Sequence, residues 1–595
     1  MSFQAPHALL RLDAAFRLGV EPLWWLGWHR LRRAAGLPGR ALRPGVAARG
    51  PFLPEAAPPP PVLPAGARDG VGAALRALGP AVFHGPFDPG AGALGLDLFA
   101  PGDVRPVWEA NRLGWVPLLA MAHRLEPGAG HQALAEARLA EWAAANPPFL
   151  GPNWACGQEA ALRALHLALA HALLGGGPPA AGLAALLRQH AARIGATRAY
   201  ARAQDNNHGI SEPAGLLAIG WALGDARAAR RAGRDLARAV ARLVAPDGGF
   251  AQVSTGYHRL LLDVLSVVEW LRRRHGAGPL PAPFGARAEA AARWLARVVE
   301  PDTGGTPRLG HQDGSAFADL SLCGPGDARG SAERALRLFG GASMGWEDAG
   351  CAWLGLPPGS VRGGEGAWVA AGTRGWRMGG TRGLLRVGPL RFRPGQADLL
   401  HFDLWLGAEN LLRDSGTGSY NPGVGRDWWG PHFASAAAHN LVVFDDAEPM
   451  PRAGRFLLAR WLAAEPLPDG GVVRDARGNR HARRVVPGVG AWRVEDRVSG
   501  PFRHLALRWH LARGEWHLTA AGARRGAVEL VLSADAPLAL SLEEGWESAA
   551  YGEVRRAPVL VARARAPVSA VLTEIRFGSG CIEAGDAPKI VSIHQ

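Results

Sequence analysis

Two polar islands stand out in a chain otherwise saturated with Ala, Leu and Arg: Asp205-Asn206-Asn207-His208-Gly209-Ile210-Ser211-Glu212, and Asp247-Gly248-Gly249-Phe250 running on to Tyr257-His258. Tyrosine occurs only 4 times in 595 residues, whereas tryptophan occurs 22 times, so a Tyr-His pair opening an apolar helix is not drawn from an abundant pool. Amides, an imidazole and a phenol at helix ends can neutralise a carboxylate and move a proton without a metal or an organic cofactor. Asn206 and Asn207 each offer an NH2 and an acceptor oxygen. The competing reading for tandem asparagines is a helix cap and turn. Glu212 lies four residues after His208, close enough to orient or charge its imidazole if the helix begins in time. Tyr257 starts from an ordinary phenol pKa of ~10, which neighbours must lower before it can act as a base. His258 and Arg259 are the cations within sequence reach. The alternative for Tyr257 is a half-buried tyrosine at a helix start.

Helices must hold these islands. From about Asp69 to Phe339 apolar residues recur at 3–4 spacing, as in Glu159–Leu174, Gly182–Ile194, Ala228–Leu243, Leu260–His275 and Ala288–Val299. Gly/Pro loops separate them, which predicts helical hairpins gathered into an α/α barrel or bundle. Near Gly363 the texture turns to short alternating segments, among them Val369–Thr373, Leu400–Leu406, Asn440–Phe444, Gly471–Arg474, Trp492–Val498 and His504–His510. These predict an antiparallel β-sandwich. The expected organisation is a leader helix with a Pro-rich connector over residues 1–64, a helical toroid over 65–362 and a sandwich over 363–595, with a cleft where the two halves meet.

Bulk composition narrows the classes. Hydrophobic content of 48% and charged content of 20% describe a globular chain. The net charge of +14 is carried almost wholly by arginine, Lys589 being the only lysine. Its dispersal does not form the basic stripe that a nucleic-acid surface needs, so no nucleic-acid partner is expected. A generally positive field would favour a polyanionic substrate such as an acidic polysaccharide. Cys156, Cys323, Cys351 and Cys581 show no metal or disulfide spacing. Arg11, Asp13 and Arg17 break the early apolar runs, which argues against a signal peptide. No run of ~20 uncharged apolar residues predicts a membrane span. Leu23–Arg33 is basic, aromatic and amphipathic. It reads either as a membrane-surface segment or, the preferred expectation, as a leader helix packed on the main body. No P-loop is present, and neither a dinucleotide glycine fingerprint in a strand–helix context nor a GxSxG nucleophile elbow is read from the sequence.

In order and content these motifs resemble the heparinase II/III family of polysaccharide lyases and its alginate-lyase relatives. The resemblance rests on Asn153-Trp154 with Glu159 and Arg163, on Asn206-Asn207-His208 with Glu212, and on Asp247-Gly248-Gly249-Phe250 with Tyr257-His258. In the second half it rests on Gln396-Ala397-Asp398, Asp414-Ser415-Gly416-Thr417, Tyr420-Asn421 and Ala438-His439-Asn440. It implies an α/α toroid joined to a β-sandwich and β-elimination of a uronic-acid polysaccharide in the cleft between them. It further implies that Asn207 and His208 hold the substrate carboxylate, and that Tyr257 serves as general acid and in some relatives also as base. Asn206, Glu212, His258, His311, Gln396 and Trp428 are carried as substrate-binding candidates.

One departure is serious. Where the family has Gly-His-x-His-Ala-Asp, this chain has Arg393-Pro394-Gly395-Gln396-Ala397-Asp398. Pro394 replaces a proton-transfer histidine and Gln396 a metal-ligating one; an amide is a poor zinc ligand. Asp414 and His439 match the other two metal positions; two ligands of three leave a structural zinc open without making it the expectation, and no cofactor is required. His401 lies an odd number of residues from Gln396 and is expected to face the other way on a strand. A substitute base could be Tyr257 acting with His208, or His311, or His432. The rival readings are a non-catalytic acidic-polysaccharide binder of the same fold and a hydrolase using Glu212 and Asp313, which would need both carboxyls across one sugar. Substrate logic points to the cell envelope or periplasm, with the cytoplasm left open; oligomeric state is not legible.

Overall fold

The structure, a computed structural model, describes residues 7–100, 102–361 and 366–578. The expected boundary at 362/363, Cys581 and Lys589 lie outside the described residues. The first half is helical and the second is built of antiparallel sheets, and the described helices do not close into a barrel. The five expected helices appear as Gly157–Leu173, Ala181–Ala196, Ala226–Leu243, Thr255–Arg274 and Phe284–Val298. Gly157–Leu173 is buried along its whole length. It packs against Trp115–Leu125, Ala181–Ala196 and His208–Ala222, which is the position an all-round apolar helix must take. Its few polar residues, Gln158, Glu159, Arg163, His166 and His171, are therefore forced to find partners inside the protein.

The leader holds two long helices and a short third, Leu37–Ala41. His7–Leu18 packs on the sandwich, where Ala14 joins Ala453 and Ala459. Val20–Ala34 packs on Arg198–Gln204 of the helical half, with Arg202 4.6 Å from the Trp25 ring and His29 5.1 Å from the Tyr200 ring. A leader packed on the main body is thus what forms.

Three larger antiparallel sheets make the second half. Eight strands run in the order Ala463–Leu467, Gly470–Arg474, Arg480–Val486, Ala491–Ser499, Ala570–Phe577, Val528–Ala534, Gly522–Arg525 and His517–Thr519. A four-stranded sheet contains His504–His510 between Arg555–Arg565 and Val442–Phe444. Five strands from Gly366–Ala370 to Glu409–Leu412 form a meander. Trp376, Phe402, Trp492, Trp509, Leu560 and Ile575 share one core between the sheets. The segment expected as a strand over Val369–Thr373 instead contains a turn. Ala371 and Gly372 take φ values of 55° and 66°, which reverse the chain between Gly366–Ala370 and Thr373–Met378.

That turn explains part of the second polar island. Asp247 Oδ2 accepts the backbone N–H of Ala371 at 2.9 Å. A Cβ on Gly249 would lie 2.9 Å from Ala371 Cα. Asp247 and Gly249 therefore form a joint between the halves, with glycine required by the close approach of two backbones.

Candidate functional site

Tyr257 lies in the first turn of Thr255–Arg274, whose start is fixed by Ser254: its hydroxyl accepts the Tyr257 N–H at 3.1 Å and donates to His311 O at 2.6 Å. This cap brings the Gly310–Gly314 loop alongside, so that the Tyr257 hydroxyl donates to Asp313 Oδ2. Tyr420, from the β half, donates to the same oxygen at 3.2 Å. Arg105 faces Asp313 at 3.5 Å and donates to Ser315 Oγ at 2.8 Å. Tyr551 donates to Asp103 Oδ2 at 2.6 Å and accepts the Tyr420 N–H at 2.9 Å, with the two rings 5.3 Å apart. Three of the chain's four tyrosines thus converge on one junction between the halves.

Burial works to raise the Asp313 pKa, but Arg105, the Tyr257 hydroxyl and the Ser315 N–H outweigh it and hold the carboxyl below its usual range. Tyr257 moves the other way: burial first, then the Asp313 charge, push its phenol well above the ordinary range. The expectation that neighbours would lower it fails. His258 turns away, donating through Nε2 to Ala291 O (2.9 Å), and its ring packs on Trp294. Burial pulls His258 down to about 4, so it is a core histidine, not a substrate ligand. Arg259 is spent on Ser331 and Pro325 O. Tyr257 is therefore a proton-holding phenol, suited to an acid and not to a base.

The first island forms the start of His208–Ala222, so the helix does begin in time. His208 Nδ1 lies 3.1 Å from Glu212 Oε1. Glu212 is only 2% exposed, and its carboxylate beside Nδ1 positions His208. Asn207 is likewise buried, with its amide donating to Gln158 Oε1 and its N–H to Gln252 Oε1. Asn206 Oδ1 accepts the His208 N–H at 3.1 Å, the turn role that competed with substrate binding. His208 keeps 17% of its side chain exposed, against 3% for Glu212. The two clusters join through the start of Gly157–Leu173. Gln158 holds Asn207, and its neighbour Glu159 pairs with Arg112 at 2.7 Å and faces Arg105 at 3.8 Å.

In the β half, Pro394 and Gln396 stand where proton-transfer and metal-ligating histidines were sought. A Cβ on Gly395 would lie 2.6 Å from His311 Cε1. The imidazole of the helical half thus presses on the loop that lacks its own. His311, Gln396, Tyr420, Arg452 and Arg455 line one small cavity. Burial and then the charge of Arg452 lower the His311 pKa against the pull of Asp313, leaving a neutral ring at pH 7. Arg452 forms no ion pair among the described residues; its Nη2 donates to Arg455 O at 2.8 Å. His432 packs its ring against Trp428 and Phe433 and is drawn by burial to about 4. Trp428, 38% exposed, also contacts Trp546 at 5.0 Å.

Gln396 is buried, with Nε2 donating to Gly416 O and Phe433 O; Oε1 has no hydrogen-bond partner. Asp414 Oδ2 and His439 Nε2 lie 3.1 Å apart, and the Asp414 charge overrides burial to raise His439 to about 9. His401 does not face away. Leu400, at φ 69°, breaks the strand before Phe402, and the His401 ring comes within 5.7 Å of His439. Among the described residues no group of three His, Cys, Asp or Glu is placed to hold a metal. One imidazole, one carboxylate and an amide do not fit the donor set of a closed zinc site.

Sequence reasoning had singled out Tyr257, Tyr420, His311 and Asp313 in separate motifs, but not Arg105, Asp103, Tyr551, Arg452, Gln158 or Gln252. The scarcity of tyrosine was the available signal for Tyr551; nothing distinguished Arg105 or Arg452 among the many arginines.

Residues 363–582 match the family model described as Heparinase II/III-like, C-terminal, and residues 157–303 match that described as Alginate lyase. No curated protein sequence matches the chain. Among solved structures, a heparinase III crystal structure aligns over 94% of this chain and 94% of its own, with TM-score 0.63 and 15% identity. A mutant of the heparan sulfate lyase HepC from Pedobacter heparinus aligns over 93% of this chain and 91% of its own, with TM-score 0.55 and 18% identity. At these identities the likeness establishes the fold.

Proposed function

We propose that this chain, which belongs to the heparinase II/III family of polysaccharide lyases through its two matched domains, cleaves a uronic-acid polysaccharide by β-elimination at the junction of its helical and β halves. The observation that carries the reading is the convergence of Tyr257 and Tyr420, one from each half, on Asp313, beside the neutral imidazole of His311. β-Elimination breaks the C5–H and C4–O4 bonds and forms a C4–C5 double bond, so it needs one group that accepts a proton and one that donates to O4. In this reading His311 takes the C5 proton, filling the place left by Pro394. Its ring packs edge-on against that of Tyr420, with centroids 5.4 Å apart, so base and acid stand side by side at one small cavity. The proton for O4 comes from the Tyr257–Tyr420 pair, whose raised pKa values keep both hydroxyls protonated at pH 7. His208, held by Glu212 and backed by Asn207, and the unpaired Arg452 are the groups offered to the substrate carboxylate. An acidic polysaccharide of glycosaminoglycan or alginate type is the substrate class, in a cell-envelope setting.

The test is a panel of uronate polymers followed by ultraviolet absorbance of the unsaturated product. Tyr257→Phe should lower the rate by about 10²–10⁴-fold. Near-normal elimination by that variant would sink the assignment. A second reading, a binder that does not cleave, is favoured by Pro394 and by the engagement of the Tyr257 hydroxyl with Asp313. Saturable binding of a uronate oligomer without any absorbance change would establish it.

A further inference from the structure

The two leader helices carry their apolar stripe on the outside. Along His7–Leu18 the exposed residues include Leu9, Leu12 and Phe16; along Val20–Ala34 they include Val20, Leu23, Trp24, Trp28 and Leu31. Phe16 is 87% exposed and Val20 85%, so these side chains are bare and not merely grazed by solvent. The spacing of three and four places each set on one helix face. The opposite faces, through Ala14, Trp25 and His29, hold the helices to the body, as described above. An apolar stripe pointing out of a helix anchored by its other face is the reverse of a surface helix of a globular protein.

Charge states what would cover it. Residues 7–43 contain 7 arginines (Arg11, Arg17, Arg30, Arg32, Arg33, Arg40, Arg43) against 2 acids. Both acids are engaged: Asp13 with Arg17 at 2.9 Å and the Arg460 N–H at 2.6 Å, Glu21 with Arg242 at 2.8 Å. Arg11, Arg30, Arg40 and Arg43 are exposed and form no ion pair among the described residues. A second copy would bring the same positive field against itself. An anionic bilayer offers the opposite charge together with a hydrocarbon boundary, where Trp and Arg are the favoured residues. Trp24 and Trp28 stack with centroids 6.3 Å apart, giving one flat aromatic wedge. No helix among the described residues is long and apolar enough to cross a membrane, so the segment would lie in the interface.

We propose that the outer face of His7–Leu18 and Val20–Ala34 docks this protein onto an anionic phospholipid surface. This does not depend on the lyase chemistry.

The test is flotation of the full chain with vesicles of phosphatidylcholine, with and without phosphatidylglycerol. A variant carrying Leu12→Gln, Phe16→Gln, Trp24→Gln and Trp28→Gln alters only exposed or half-exposed side chains, and its circular dichroism and melting should match the parent. The parent should float with the anionic vesicles, and the variant should bind them about tenfold or more weakly. Replacing Arg30 and Arg40 by Gln should weaken binding about fivefold for each arginine on anionic vesicles, with little effect on neutral ones. The proposal is overturned if the parent stays at the bottom of the gradient, or if the fourfold variant floats as well as the parent. It is equally overturned if the parent sediments as a dimer that the variant splits while neither binds vesicles, since the stripe is then an interface between copies.

Discussion

Asp313→Asn is the substitution that most directly probes the junction. The carboxylate is 3% exposed, accepts two phenols on Oδ2 and the Ser315 N–H on Oδ1 at 3.0 Å, and faces Arg105 at 3.5 Å. Asparagine keeps the shape and can keep one accepting oxygen, but its NH2 must then face either the phenols or Ser315. One phenol–carboxylate bond is lost at about 1.5–3 kcal/mol, and Arg105 retains Glu109 and Glu159, which limits the penalty for the unpaired cation. The expected loss of unfolding free energy is about 2–4 kcal/mol, read by urea titration. The second readout is tyrosinate absorbance. All four tyrosines are raised above 10.0 in the folded chain, by burial first in every case. A raised folded pKa favours the native state below the unfolded value, and that advantage is lost as pH rises from about 10 upward. Removing the Asp313 charge should let Tyr257 and Tyr420 ionise at lower pH than in the parent. If elimination activity is found, its alkaline limb should move down with them. A variant within about 0.5 kcal/mol of the parent, with an unchanged tyrosinate titration, would refute a shared carboxylate at this junction.

Three further outcomes follow from the same geometry. His311→Ala should abolish elimination while leaving the melting temperature nearly unchanged. In the parent the acid limb of kcat/KM should lie below 6.5, because burial and Arg452 lower that imidazole; a limb above 6.5 would assign the base elsewhere. Gly395→Ala puts a methyl group 2.6 Å from His311 Cε1, so it should displace the ring and lower the rate by about 100-fold, with near-normal substrate binding. Asp496→Asn should destabilise the sandwich by about 3–5 kcal/mol, since Arg483 pairs with that buried carboxylate at 2.7 and 3.0 Å. Arg483 and His481 hold Asp496 at about 2 against burial, below the usual 3.8 of an aspartate. Roughly 2 kcal/mol of stability should therefore be present above about pH 4 and disappear as pH falls toward 2, as followed by acid titration of tryptophan fluorescence.

The helices were legible because Ala/Leu periodicity alone fixes which face is buried; all five expected segments formed with ends shifted by a few residues. Strands were legible only where one face was plainly apolar. Arg480–Val486 reads as polar, yet Arg483 is fully buried because Asp496, Leu400 O and Asn440 O satisfy its guanidinium from three sides. No pattern of single residues can announce such a strand, since its stability resides in partners tens of residues away. The site divides along the same line. His208 with Glu212 was readable, being one helical turn on one element. Tyr257, Asp313 and Tyr420 are separated by 56 and 107 residues along the chain, and sequence supplied the members without the meeting. The His401 parity argument failed for a local reason: Leu400 at φ 69° interrupts the strand on which alternation was assumed. The replacement of a sandwich histidine by Pro394 looked like a lost base when read within its own motif. In space the ring of His311, from the other half, lies against Gly395, which has no side chain to exclude it, and in the proposed mechanism this imidazole takes that base's part. Pro394 and His311 are read on different halves of the chain, and only the docking of those halves places the imidazole beside the proline's loop.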